Sequence, residues 1–250
     1  MLEGHISRAF DGALASFHVR VVEMGGLVLD QVREAATAYT EWQIGPAEKV
    51  LDREVGVNDY NHRLNDEQLT LIARRQPVAG DLRAILAMSR VVAELERAGD
   101  EAKKIARTVL AQGSRPGPAT SRDVRHLGQL AVSLLRASLE SFDRLDISAA
   151  SDVIARDKEL DEEYAAGLRR LMTRAMEDPR QVSMALEAAF ALKSLERIGD
   201  HARNLARQVH VIGGDSHPLP DTAMAGPARS ADPDPSRPTS GTGSSGTTPS

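Results

Sequence analysis

Two pairs of carboxylates have the spacing of one helix face. The octet LERAGDEA begins at residue 95 and returns as LERIGDHA at residue 195. The first copy holds Glu96 and Asp100, and the second holds Glu196 and Asp200, so each pair is four residues apart. Side chains four residues apart in a helix are neighbours on its surface. Carboxylates at this spacing can supply oxygen ligands to a hard metal ion.

The residues around the two octets continue the repeat. Residues 95–109 and 195–209 are identical at nine of fifteen positions. Apolar or small residues recur at alternating spacings of four and three, which is typical of a buried helical seam. The seam residues are Met88, Val92, Leu95, Gly99, Ala102, Ala106 and Val109 in the first copy and Ala188, Leu192, Leu195, Gly199, Ala202, Ala206 and Val209 in the second. Each acid of the two pairs directly follows a seam residue, so the acids lie at the edge of the seam. Because glycine inside a helix costs about 1 kcal/mol relative to alanine, the seam glycines predict a close approach, most simply by a neighbouring helix backbone.

A second set of oxygen donors lies on the helix that precedes each octet. Aligning the two halves makes Glu54 and Asn58 equivalent to Asp157 and Asp161, again four residues apart. Each half can then set two oxygen-rich faces against each other, which is how helical bundles hold metal ions. Because the chain has no cysteine, we expect Mg, Mn or Fe in preference to copper, with Zn also possible.

The same acids could instead belong to an ordinary charged helix face. Like charges four residues apart destabilise a helix by roughly 0.2–0.5 kcal/mol, so each pair needs a nearby cation. Lys103 or Lys104 could supply it in the first copy and Arg203 in the second. His201 directly follows Asp200 and therefore points about a hundred degrees away from the acid pair. We expect His201 on the solvent-facing surface.

Proline and glycine divide the chain into six helical segments. Prolines at positions 46, 77, 116, 118 and 179 separate stretches with a helical period of apolar residues. The fourth segment is expected to begin after Thr120 or Ser121, either of which can cap a helix. Short connections between helices of about 25 to 35 residues favour antiparallel packing. We predict an all-α fold of two tandem, pseudo-symmetric antiparallel three-helix bundles.

The domain boundaries follow from composition. Residues 1–112 are predicted to form the first bundle, 113–120 a linker rich in glycine and proline, and 121–212 the second bundle. The segment 213–250 holds seven of the twelve prolines and no aromatic residue. Such a segment buries too little apolar surface to offset its ordering entropy, so we predict a disordered tail.

Overall composition excludes several classes of protein. The net charge is −5 and no run of basic residues occurs, so we expect no nucleic-acid partner. The charged N-terminal segment does not resemble a secretory signal, and no stretch of about 18 apolar residues predicts a membrane-spanning helix. The lack of cysteine fits a reducing compartment, and we expect a cytoplasmic protein.

These residues together resemble one family, the PhoU proteins. The resemblance rests on the doubled ERxGD motif, on the stretch RQPVAGDLR from Arg75 to Arg83, and on HISRAFDGAL, which begins at His5. It covers about residues 4–212 and leaves the predicted tail outside. It implies a six-helix protein of two three-helix bundles that acts as a negative regulator of the phosphate-starvation response.

The resemblance also implies partners and ligands. The expected partners are the ATPase subunit of the phosphate ABC transporter and the phosphate-sensing histidine kinase, with contact to the membrane only through them. Family members commonly form homodimers. Their metal-binding E/D-x-x-x-D motifs match Glu96 with Asp100 and Glu196 with Asp200.

Two differences between the copies predict metal sites of unequal strength. Four residues after Asp100 the first copy has Lys104, whereas four residues after Asp200 the second copy has Asn204. Lys104 adds a positive charge near the first site. The preceding helix offers one carboxylate, Glu54, in the first half and two, Asp157 and Asp161, in the second. We predict that the second site binds metal more strongly.

Two alternatives to a regulator remain. The first is a helical-bundle enzyme with a carboxylate-bridged metal centre, but di-iron bundles use a Glu-x-x-His motif that this chain lacks. Phosphate-binding GxxxxGK[ST] and nucleophilic GxSxG motifs are also missing, so we expect no catalytic activity. The second alternative, metal or phosphate storage, requires many ions per chain, whereas a regulator requires few.

Overall fold

The computed structural model of the chain describes residues 2–75, 77 and 79–214. The six long helices are α1 (Leu2–Glu41), α2 (Ile44–Arg75), α3 (Ala79–Leu110), α4 (Pro118–Arg144), α5 (Ile147–Glu177) and α6 (Val182–Ile212). A 3₁₀ turn, Pro179–Gln181, precedes α6. The residues that the structure describes include no strand, and the prediction of an all-α fold is confirmed. All but the first two residues of the predicted tail, 213–250, lie outside the described residues.

The helices pack as two bundles of three, as predicted. Helices α1, α2 and α3 contact one another, and so do α4, α5 and α6. Two residues connect α1 to α2 and two connect α4 to α5, which makes these neighbours antiparallel. The bundles also contact each other, α1 against α4 and α3 against α6. The six helices therefore belong to one compact unit.

The two bundles are built alike. Helix α2 begins at Ile44 and α5 begins at Ile147, 103 residues later. At that offset Trp42 is equivalent to Leu145, and both residues have a positive φ, 55° and 51°. A left-handed residue just after a helix ends it and satisfies its last carbonyl groups. The first and fourth helices thus end in the same way, which supports an internal duplication.

Each bundle has an ion pair between its first and second helices, but the acid and the arginine change places between the two bundles. In the first bundle Arg20 Nε donates to Glu67 Oε2 at 2.9 Å. At the equivalent positions of the second bundle, Arg170 Nε donates to Asp123 Oδ1 at 2.9 Å. The contact between the helices is thus retained although the residue types at both positions differ.

Apolar side chains, most of them aliphatic, fill the core of both bundles. The seam leucines Leu95 and Leu195 are fully buried. The largest fully buried side chains are Tyr39, Phe17, Phe142, Met24, Leu64, Ile85, Leu95, Ile105, Leu127, Leu135, Leu160 and Leu171. At about 25 cal/mol per Å² of apolar surface removed from water, such residues supply the main stabilising term.

Helix α4 begins earlier than expected. Pro118 is the first residue of the helix, so Thr120 and Ser121, the expected caps, already lie within it. Proline suits this position because the N–H that it lacks would have no partner within the helix. The last three residues of the predicted linker, 113–120, therefore belong to α4. At the start of the sixth segment, the Asp178 side chain caps the 3₁₀ turn by accepting from the backbone N–H of Arg180.

Helix α1 meets the length and hydropathy of a membrane span over Phe10–Glu41, although the sequence predicted none. Core helices of globular proteins can meet the same criteria. Here α1 packs against α2, α3 and α4, and its Phe17, Val21 and Val28 are fully buried. Within this unit α1 is therefore a helix of the bundle core.

Candidate metal sites and the contact between the bundles

The acidic cluster of the second bundle lies between α5 and α6. The Asp157 side chain on α5 is only 4% exposed and faces α6 where Gly199 leaves space. A Cβ at Gly199 would lie 3.5 Å from Asp157 Oδ1 and 2.9 Å from Leu160 Cδ2. Side chains of α5 approach this glycine, so the expected backbone approach is wrong.

Two cations contact this cluster: Lys193, whose Nζ donates to Glu196 Oε1 at 2.6 Å, and Arg203. Arg203 Nη1 donates to Asp157 Oδ2 on α5, and its Nη2 lies 2.7 Å from Asp200 Oδ1 on its own helix. Arg203 thereby joins the two helices. It is the compensating cation that the sequence offered for the second copy.

The acids of this cluster are only partly compensated. Burial raises the pKa of Asp157 to about 6, and the charges of Asp161 and Asp200 add to this effect against the attraction of Arg203. Burial and neighbouring acids also raise the pKa of Asp161 and of Glu196. A raised carboxyl pKa means that the charged form is disfavoured in the folded protein. A further cation would therefore stabilise these side chains in their ionised form.

The equivalent cluster of the first bundle centres on Glu54, which is buried on α2. Glu54 accepts hydrogen bonds from Gln31 Nε2 at 2.7 Å, Lys103 Nζ at 3.0 Å and Asn58 Nδ2 at 3.3 Å. Lys103 also donates to Asp100 at 3.1 Å. Lys103 therefore takes the position that Arg203 takes in the second bundle.

Gly99 in the first bundle leaves space for side chains of neighbouring helices, as Gly199 does in the second. A Cβ at Gly99 would lie 3.1 Å from Gln31 Oε1 and 3.5 Å from Glu54 Oε2. Beside it Glu96 is half-buried, and burial together with the charges of Asp100 and Glu54 raises the pKa of Glu96. Both seam glycines thus leave room for a buried acid from the preceding helix.

The structure places the seven sequence-predicted ligands in two clusters. They are Glu54, Glu96 and Asp100 in the first bundle and Asp157, Asp161, Glu196 and Asp200 in the second. Within residues 2–75, 77 and 79–214, however, no three acidic or histidine side chains form a ready coordination shell. Lys103 and Arg203 contact the acids where a metal ion would have to bind.

The donor atoms nevertheless fit a hard cation. Asp157 Oδ1 and Gln31 Oε1 are buried and have no hydrogen-bond partner among the described residues. A buried acceptor without a partner costs about 1–3 kcal/mol, and a metal ion would remove that cost. Carboxylate and amide oxygens suit Mg²⁺, Mn²⁺ and similar ions. Metal binding at these residues stays a prediction, and it requires Lys103 or Arg203 to move.

A buried acid also joins the two bundles. Glu101 on α3 accepts hydrogen bonds from Lys104 Nζ at 2.7 Å and from Arg197 Nη1 of α6 at 3.2 Å. Burial alone would raise the pKa of Glu101, but these bonds and one from Ser194 outweigh it and lower the pKa. Lys104 was expected to weaken the first metal site, but it pairs with Glu101. The lysine that contacts the first cluster is Lys103.

His201 forms a second contact between the bundles. Its Nδ1 lies 2.8 Å from Glu94 Oε2 on α3, and its side chain is only 17% exposed. Asn204 donates to the same oxygen at 3.3 Å, and Arg97 lies 3.2 Å from the other. The prediction that His201 lies on the solvent-facing surface is wrong, because α3 of the other bundle covers that face of α6.

The model of the PhoU domain matches this chain twice, over residues 21–109 and 124–209. The chain belongs to the PhoU family. The two matches correspond to the two three-helix bundles, so each bundle is one PhoU domain, and the resemblance noted in the sequence is confirmed.

Relatives of this PhoU-family chain match it over most of their length. It is 42% identical over 211 residues to the phosphate-specific transport system accessory protein PhoU homolog of Pseudomonas putida, which covers 83% of this chain and 82% of that protein. It is 37% identical over 216 residues to the phosphate-specific transport system accessory protein PhoU of Escherichia coli K12, covering 86% and 90% respectively.

Two crystal structures have the same fold. PhoU from Pseudomonas aeruginosa superposes with a TM-score of 0.79 and 38% identity, covering 83% of this chain and all of that one. The phosphate transport system regulatory protein PhoU from Streptococcus pneumoniae superposes with a TM-score of 0.74 at 23% identity, covering 84% of this chain and all of that one. The second likeness shows the shared fold alone.

Sequence reasoning missed three polar residues of this PhoU-family chain. Gln31 is fully buried and donates to Glu54, and its position among the apolar residues of α1 was an available signal. Glu94 and His201 meet across the contact between the two bundles. No spacing within one helix indicates that pair, because the partners come from different bundles.

Proposed function

We propose that this chain is a non-enzymatic accessory protein of the phosphate-specific transport system. The observation that carries the proposal is the match of both bundles to the PhoU domain. It is supported by identities of 42% and 37% with relatives of that name, over at least 82% of each chain. Similarity of this extent covers the whole helical unit rather than one shared motif.

Its proposed role is that of a cytoplasmic negative regulator of the phosphate-starvation response. It would act as a homodimer between the ATPase subunit of the phosphate transporter and the phosphate-sensing histidine kinase. An exposed apolar row on α6 supports a protein contact. Val182, Leu186 and Phe190 follow one another at intervals of four residues and are 53%, 55% and 64% exposed. Rows of this kind on a folded protein commonly mark protein–protein contact surfaces.

A gene deletion tests the regulatory role. Without this protein, phosphate-regulated promoters should become active in high phosphate, and the intact gene should restore repression. A gene encoding Leu186→Asp with Phe190→Asp should fail to restore it, because charges would disrupt the apolar contact. Val55→Asp, at a 70% exposed position on α2, is the matched control and should restore repression. Unchanged promoter activity after deletion would contradict the proposal.

The carboxylate clusters are proposed to bind divalent or trivalent metal ions. In the second bundle Asp157, Asp161, Glu196 and Asp200 would hold such an ion. In the first bundle Glu54, Glu96 and Asp100 would do so with help from the Gln31 amide. Bound metal would add positive charge between the helices of each bundle and stiffen the faces that meet partners.

The second site is expected to bind metal more strongly than the first. It has four carboxylates against three, and Asp157 Oδ1 is a buried carboxylate oxygen without a hydrogen-bond partner among the described residues. Glu196→Ala with Asp200→Ala should therefore remove more bound metal per chain than Glu96→Ala with Asp100→Ala. Elemental analysis after loading with Mn²⁺ and gel filtration measures the difference.

The matched control is Glu48→Ala with Asp52→Ala, an exposed acid pair on α2 at the same spacing. This variant should retain all bound metal. A greater loss from the first site than from the second would contradict the ranking. The same analysis separates the alternatives, since storage predicts many ions per chain and a regulator predicts a few. Hydrolytic or oxidative turnover by the metal-loaded protein would support the enzyme alternative instead.

A further inference from the structure

A surface cavity of about 400 Å³ opens between α1 and α4. It lies where the two bundles meet and is separate from both acidic clusters. Its lining residues are Arg33, Ala36, Thr37, Thr40, Glu41, Arg125, Gly128, Gln129, Val132, Ser133 and Arg136. Pockets for small molecules in proteins typically have volumes of about 300–1,000 Å³, so this cavity is large enough for an organic ligand.

The cavity arises from a difference between the two halves of the α1–α4 contact. Gly25 on α1 and Gly128 on α4 are equivalent positions, 103 residues apart, and so are Ala36 and Leu139. At one end of the contact, the Leu139 side chain fills the space over Gly25. At the other end, Ala36 takes the place of that leucine, with its Cβ 3.0 Å from the Cβ position of Gly128. The smaller side chain leaves the space that forms the cavity floor.

Arginines surround this space in excess over acids. Arg33 projects from α1, and Arg125 and Arg136 project from α4, whereas Glu41 is the only acid in the lining. Arg33 is paired with Asp30 at 2.6 Å. Neither Arg125 nor Arg136 forms a salt bridge with any residue that the structure describes. The cavity therefore has a net positive charge in a chain whose own net charge is −5.

The sequence explains why Arg136 lacks an acid. Arg33 and Arg136 are equivalent positions, and the aspartate that pairs with Arg33 has Ser133 as its counterpart. Ser133 Oγ accepts instead from Arg156 Nη2 at 3.1 Å, which brings a further guanidinium to the rim. A guanidinium group is planar and binds carboxylate or phosphate oxygens in a bidentate manner.

We propose that this cavity binds a small phosphorylated organic molecule. The phosphate would contact Arg136, while Arg33 of α1 and Arg156 at the rim add the positive charge that suits a dianion better than a single carboxylate. Arg125 lies eleven residues away on α4, about 16 Å along the helix, and would add positive charge at the other end of the cavity. The organic part would lie over the small apolar floor of Ala36, Gly128 and Val132. Inorganic phosphate alone would leave most of the 400 Å³ empty. This inference does not depend on the proposed regulatory function or on metal binding.

Titration calorimetry of the full chain tests the proposal with AMP, adenosine and inorganic phosphate as probes. AMP should bind at physiological ionic strength, and adenosine should not, because it lacks the phosphate. Arg125→Ala with Arg136→Ala should weaken AMP binding by at least about tenfold. Both side chains are exposed, so this variant should remain folded.

Ala36→Leu tests the cavity itself rather than its charge. It places at position 36 the side chain that the equivalent position, Leu139, already carries, so it should fill the cavity without removing any charge. AMP binding should fall by at least about tenfold while the circular dichroism spectrum and the melting temperature are retained. Arg63→Ala, an exposed arginine on α2, is the matched control and should bind AMP as the unchanged chain does.

Three results would overturn the proposal. The first is no binding of AMP by the unchanged chain at millimolar concentration. The second is AMP binding that survives in both Ala36→Leu and the double arginine variant. The third is binding of inorganic phosphate or adenosine as tight as that of AMP, which would overturn the assignment of a phosphorylated organic ligand.

Discussion

Replacing Arg203 by methionine is expected to lower the free energy of unfolding of the metal-free protein by roughly 3–5 kcal/mol. Methionine retains an apolar stem but removes the charge that contacts Asp157 and Asp200. Removing one partner of a buried ion pair is strongly destabilising because it leaves an uncompensated buried charge. Urea unfolding in the presence of a chelator measures the loss.

The pH dependence of this loss has a defined sign. Without Arg203 the pKa of Asp157 should rise further above its unfolded value, so the folded state would bind the proton more tightly than the unfolded state. The free energy of unfolding of the variant then falls as the pH rises from the unfolded-state pKa of Asp157 through its folded-state pKa. The destabilisation should therefore be smaller at about pH 5 than at about pH 8. Mn²⁺ should restore part of it, because the ion replaces the missing positive charge.

The equivalent substitution in the first bundle provides the comparison. Lys103→Met should lower the free energy of unfolding by only about 1–3 kcal/mol. Glu54 keeps hydrogen bonds from Gln31 and Asn58 after Lys103 is lost, whereas Asp157 Oδ1 already has no hydrogen-bond partner among the described residues. A loss for Lys103→Met as large as that for Arg203→Met would show that the two acids are equally compensated, against this expectation.

Leu195→Ala is expected to lower the free energy of unfolding by about 2–5 kcal/mol. Leu195 is fully buried on the seam of α6. Its Cδ1 lies 3.8 Å from the Cβ position of Gly128 on α4. Truncation leaves a cavity where α4 and α6 pack, and the surrounding helices can close it only partly. Urea or thermal unfolding measures the change.

Leu186→Ala is the matched control for this prediction. It removes the same atoms from the same helix, but Leu186 is 55% exposed, so the free energy of unfolding should change by no more than about 0.5 kcal/mol. Equal losses for the two variants would contradict the assignment of Leu195 to the core. A loss of promoter repression without a loss of stability for Leu186→Ala would support its proposed role in partner contact.

The two bundles have kept one fold while their polar contacts diverged. The ion pair of Arg20 with Glu67 has its charges exchanged in the second bundle, and Glu101 on α3 is replaced by His201 on α6. The cavity beside Ala36 is a third difference, since the Leu139 side chain fills the equivalent space over Gly25. A duplicated bundle can therefore offer different surfaces to different ligands while both halves keep the same helix packing.

Much of the fold could be predicted because it depends on local patterns. The seam spacing around Leu95 and Leu195 reports which helix face is buried, since apolar residues recur with the helical period. Prolines and glycines mark the helix ends, although Pro118 began α4 earlier than the expected caps. The carboxylate pairs were placed at the seam edge for the same reason, since their position on the helix follows from their distance to the leucines.

The sequence by itself determined six helices, their arrangement in two equivalent bundles and the acids at the seam edge, because helical periodicity is a property of short segments. Only the tertiary structure decided which cation meets those acids, since Lys103 and Lys104 are adjacent yet one faces α2 and the other pairs at the contact with α6. It also decided that His201 meets Glu94 and that Ala36 leaves a cavity. These contacts depend on which helices become neighbours, and spacing within one helix carries no information about that.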